Sequence, residues 1–180
     1  MLTRDKSSFC IAGESETIRT PVQKIATIAI LAATAAALQV VESPLPRLLP
    51  WLKPGLANAM TLFALLRFSV KAGFGVALIR TFLAGTVMGT LFSPVYLISL
   101  AGALTSAITM SIIKKLLPDS GLSTLSIAGA LASNWAQLFA VEMMFAGSMS
   151  IWFHLAVMIW VAVPSGLIVA RVTSELLRRT

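Results

Sequence analysis

An all-α integral membrane protein, a bundle of six transmembrane helices, is the fold class this 180-residue sequence predicts, and three observations predict it. Hydrophobic residues make up 57% of the chain and charged residues 12%, against about a quarter charged in an ordinary soluble domain. The mean hydropathy is +0.89. From Lys24 to Arg179 apolar sequence is almost unbroken, and short basic clusters divide it into about six stretches. A backbone in hydrocarbon has no water to bond with, so each stretch must form a helix, which closes its hydrogen bonds within one segment.

The elements follow in order. Residues 1–21 read as a flexible cytoplasmic arm, in which Arg4, Asp5, Lys6, Glu14, Glu16 and Arg19 mix both charge signs; no apolar core follows at signal-peptide distance. Pro21 suits the first turn of a helix. Residues 22–180 then form one six-helix transmembrane domain. Its spans run from about Val22 to Val41, Gly55 to Val70, Ala72 to Thr90, Pro94 to Lys115, Leu125 to Ala146 and Ile151 to Glu175. A proline-rich stretch, Glu42 to Pro54, separates the first two, and the turn into the third falls at Lys71. Connections this short make sequential helices antiparallel.

Orientation follows from the basic residues. Arg4, Lys6, Arg19 and Lys24, then Arg67 and Lys71, then Lys114 and Lys115, and finally Arg171, Arg178 and Arg179 all fall on one side of a six-span topology. Arg47 and Lys53 alone fall on the other. Eleven against two puts both termini in the cytoplasm. The same distribution explains the net charge of +7 without nucleic acid. The lone Cys10 allows no internal disulfide, and no metal or cofactor site is indicated.

One basic residue remains. Arg80 lies inside the third span, where a cation costs several kcal/mol unless it is paired or faces a wet cavity, as about that much is lost on leaving water. It is either a ligand contact or a structural tie, to backbone carbonyls or to Glu142. By the same topology Gln39, Glu42, Lys53, Asn58, Asn134, Gln137 and Glu142 fall in the outer half or near mid-depth. Lys53, Asn58, Arg80, Asn134 and Gln137 are therefore the expected lining of a cavity open to the outside. Asn134 and Gln137 share a helix face, where they serve a ligand or bond a neighbouring helix. His154 opens the sixth span as a boundary residue. In the first span Ala29, Ala33 and Ala37 recur every four residues, with Ala32 and Ala36 alongside, a smooth face that another helix can approach closely.

Several stretches resemble a known family. Pro50-Trp51-Leu52-Lys53-Pro54-Gly55-Leu56-Ala57-Asn58, then Arg80, Ser93-Pro94, Ser99-Leu100-Ala101-Gly102 and Ser133-Asn134-Trp135-Ala136-Gln137 are similar to the Gx transporter family, also described as heptaprenyl diphosphate synthase component I. The resemblance covers about Glu42 to Ala146. It departs at Ser133, where the family usually has histidine. That family in turn resembles the S components of energy-coupling factor (ECF) vitamin transporters, six-helix proteins of the bacterial plasma membrane. The resemblance implies that Ala29, Ala33 and Ala37 dock on a transmembrane coupling subunit driven by ATPase subunits.

Catalysis of prenyl diphosphate chemistry requires magnesium held by several carboxylates. The chain has two aspartates, Asp5 and Asp119, far apart, and no phosphate loop or paired-carboxylate motif. The sequence thus reads as a non-enzymatic substrate-binding subunit of an importer among membrane lipids. Lys53 and Arg80 point to an anionic or phosphorylated small-molecule ligand, and Trp51 and Trp135 to a flat or lipid-like part. The alternative is a non-transporting scaffold or accessory subunit of an isoprenoid, quinone or redox assembly.

Overall fold

A computed structural model describes residues 21–43, 55–145 and 151–179, with backbone alone at 145, 151–159 and 161. Six helices follow in order: α1 (Pro21–Glu42), α2 (Ala57–Arg67), α3 (Val70–Val87), α4 (Pro94–Leu116), α5 (Leu122–Phe145) and α6 (Ile151–Arg179). No strand occurs among the described residues. The chain is an all-α membrane protein, and α1, α3 and α4 are each long and apolar enough to cross a bilayer by length and composition.

The departure from expectation is α2. At 11 residues it extends about 16 Å, roughly half the hydrocarbon thickness, rather than making the longer span expected from Gly55 to Val70. Arg67 lies in its last turn and the Lys114 ammonium donates to the Leu65 carbonyl at 3.1 Å, so cations sit at the negative end of the helix dipole. At its other end α2 starts beside Glu42, the last residue of α1. All nine residues from Ala57 to Leu65 are buried, and α2 touches each of the other five helices. It is the centre of the bundle, as its all-round apolar surface requires.

Serines set two of the boundaries. Ser69 is extended and its hydroxyl accepts from the Ala72 amide at 3.2 Å, so α3 begins at Val70 and takes in Lys71, which was expected in the turn. Ser93 accepts from the Tyr96 amide at 3.3 Å, with Pro94 opening α4 as expected.

Close packing on the far side depends on small residues. A Cβ at Gly166 of α6 would stand 2.8 Å from Ile127 Cα of α5, and one at Gly129 of α5 would collide with Met110 of α4. The three helices approach closely only because those positions have no side chain. On the near side α1 buries Ala32, Ala35, Ala36, Gln39 and Glu42, a helical stripe turned toward α2 and α3.

Candidate functional site

Gly55 has φ +74°, a left-handed conformation that glycine adopts without strain. Next to it the Leu56 amide donates to Glu42 Oε1 at 2.7 Å. A carboxylate from the end of α1 therefore holds the start of α2, where the helix dipole favours negative charge. One turn on, Asn58 Oδ1 accepts from Arg80 Nη2 at 2.6 Å, joining α2 to α3. Glu42 and Arg80 are 3% and 5% exposed, and Glu42 is a carboxylate whose charge acts on the guanidinium. Among the described residues the buried Arg80 Nε meets no acceptor.

Beyond Asn58 lies a small polar pocket of about 20 Å³, room for roughly one water. Asn58 closes it from α2; Ser126, Ser133, Asn134 and Gln137 line it from α5, and Ser165 from α6. Each side chain has a local reason for its place. Gln137 Nε2 donates to Ser133 Oγ at 3.0 Å, and this pair fits against α4 because Gly102 offers no Cβ: one there would stand 2.5 Å from Nε2. Ser126 donates to the Gly166 carbonyl at 2.7 Å, tying α5 to α6 below the pocket. Ser165 follows Pro164, which has no amide proton for the helix ladder, and its hydroxyl donates to the Ala162 carbonyl at 3.1 Å.

Three of the expected site residues, Asn58, Asn134 and Gln137, come together. Arg80 does not share their lining; it stands behind Asn58 and is tied to Asn58, with Glu42 rather than the expected Glu142 as the carboxylate acting on it. Lys53, Trp51 and the His154 side chain lie outside the described residues. Trp135 is 57% exposed on the outside of α5, so it forms no pocket wall. Gly55, Ser126, Ala130, Ser165 and Val169 were not anticipated as lining residues, and Ser133 was noted only as a family departure. On α5 the signal was present: Ser126, Ala130, Ser133, Asn134 and Gln137 follow a helical period. The alanines of α1 divide into two faces, since Ala29, Ala33 and Ala37 are exposed while Ala32 and Ala36 turn inward.

The described chain is a six-helix membrane bundle with the short α2 buried at its centre. The fold is similar to that of the S component of a bacterial ECF transporter, with a TM-score of 0.68, 20% identity, and coverage of 89% of this chain and 96% of that one. The chain belongs to the heptaprenyl diphosphate synthase component I family, whose model matches residues 31–176. Comparison with curated proteins gives no match.

Proposed function

We propose that the chain is the substrate-binding subunit of an importer, S-component-like, which takes a small ligand from the outside into the pocket between α2, α5 and α6. The observation that carries this reading is the meeting of Asn58, Asn134 and Gln137 from two helices around one pocket. Buried amides are costly without partners, and a bundle held only by packing has no need to gather three of them. At about 20 Å³ the pocket is closed around its own side chains, so capture requires α5 or α6 to move outward.

Ala29, Ala33 and Ala37, exposed on α1, are the face that docks on a transmembrane coupling subunit with its ATPases. The basic residues at the ends of α2, α4 and α6 support an orientation with both termini in the cytoplasm, and the likeness to a bacterial S component supports a bacterial plasma membrane. The family's description favours a second reading, an accessory subunit of an isoprenoid assembly. We read the chain as non-enzymatic because its two aspartates, Asp5 and Asp119, are too few and too far apart for the carboxylate cluster that diphosphate-bound magnesium needs.

Access distinguishes the two. With Cys10→Ser as background, Ala130→Cys places a thiol on the pocket lining, and a small membrane-impermeant methanethiosulfonate added to intact cells should modify it. An importer subunit gives modification; a scaffold without a solvent-connected cavity gives none, and that result would end the importer reading.

A further inference from the structure

We propose that Arg80 is a positioning residue which turns the amide N–H2 of Asn58 toward the pocket, and that the pocket takes an uncharged hydrogen-bond acceptor such as a carbonyl, hydroxyl or ring nitrogen. This rests on the ligand-binding reading above and assigns its substrate class.

The guanidinium decides how Asn58 is oriented. Arginine has five N–H donors and no acceptor, so the Asn58 atom facing Nη2 at 2.6 Å must be the oxygen. Oδ1 and Nδ2 diverge from one carbon, so the N–H2 is directed away from Arg80, and Asn58 is itself part of the pocket lining. An amide whose oxygen is held by a cation is polarised, which strengthens its N–H groups as donors.

Charge argues in the same direction. Arg80 lies off the lining, and its guanidinium is engaged with Asn58 Oδ1 on the far side of that amide. The described lining consists of amides, hydroxyls and small apolar groups, with no ionised side chain among them. Against the described lining an anion would lose its hydration with no cation in contact, at a cost far above that of a neutral group of the same shape. The anionic ligand expected from Lys53 and Arg80 loses one of its two cations, since Arg80 is engaged with Asn58; Lys53 lies outside the described residues.

The test uses two isosteric probes, trifluoroacetamide and trifluoroacetate, with full-length protein in detergent micelles and fluorine NMR line width as readout. Wild type should broaden trifluoroacetamide saturably and leave trifluoroacetate sharp. Asn58→Asp still gives Arg80 an oxygen partner, so the melting temperature should hold or rise while trifluoroacetamide affinity falls at least tenfold. Asn58→Leu carries the same prediction of lost broadening if the aspartate variant does not fold. Arg80→Met should weaken the probe severalfold, and Arg80→Lys, which keeps a donor for Oδ1, should restore part of it; a residue needed only for folding would not give that rescue at equal melting temperature. Saturable broadening of trifluoroacetate in place of the amide, or unchanged amide binding in both Asn58 variants, would overturn the proposal and leave ligand capture standing. Sharp lines from both probes would remove the proposal and the binding reading together.

Discussion

Arg80 has about 5% of its surface exposed, yet its partner is a neutral amide with a carboxylate nearby. Removing it should expose that arrangement. Arg80→Met leaves Asn58 Oδ1 without its donor and Glu42 without the cation that compensates it, and breaking a buried charged network typically destabilises by about 3 to 5 kcal/mol. The melting temperature in detergent without ligand should therefore fall; an unchanged or higher value would mean that Arg80 contributes no net stability. The sequence was sufficient to single out Arg80, because a cation amid apolar residues needs a reason. It was insufficient to name the partner. Glu142 and Glu42 both fit the expected depth, and the choice depends on how α3 is rotated and on where α2 stops, neither of which hydropathy records.

At the scale of the elements, helix count and most boundaries were legible, since hydrophobic run lengths and Pro94 mark them directly. The length of α2 was not, because an apolar run shows only that a segment is buried and gives no account of how deep it begins. The α1 alanines illustrate the same gap: their spacing was evident, but the split between exposed Ala29, Ala33 and Ala37 and inward Ala32 and Ala36 required the neighbours. Ala33→Leu should accordingly leave the melting temperature of the isolated subunit unchanged and reduce copurification with a coupling subunit; a large loss of stability instead would assign that face to internal packing. Glycine pairs test the close contact of α5 with α6. Gly166→Ala should destabilise by about 1 to 3 kcal/mol through overpacking against Ile127. Gly75→Ala in α3, where a Cβ meets nothing within 4 Å, should stabilise by about 0.5 to 1 kcal/mol. Melting curves of the two variants should move in opposite directions, and a Gly166→Ala protein as stable as wild type would contradict the tight α5–α6 contact.

For the whole molecule, the bundle concentrates its apolar surface outward and its few polar side chains on the blunt end of one central helix. Phe82, Phe139 and Trp160 are among the exposed large hydrophobic residues, as a lipid-facing surface demands. The proposed orientation, with both termini in the cytoplasm, rests on the basic clusters. With Cys10→Ser as background, a thiol introduced by Thr90→Cys between α3 and α4 should react with an impermeant reagent in intact cells, and one introduced by Asp119→Cys between α4 and α5 should be shielded. The reverse pattern would invert the topology and with it the direction of capture.

Native mass spectrometry of the full-length protein, extracted from its own membranes in mild detergent, tests the central claim most directly, since a binding subunit retains its ligand. Wild type should carry one small molecule per chain, and Asn134→Leu, which replaces an amide on the pocket lining by an apolar side chain with the same number of heavy atoms, should release it while the variant still folds with a cooperative melting transition. A wild-type spectrum with no retained small molecule, or an adduct held equally well by the Asn134→Leu variant, would contradict ligand capture between α2, α5 and α6.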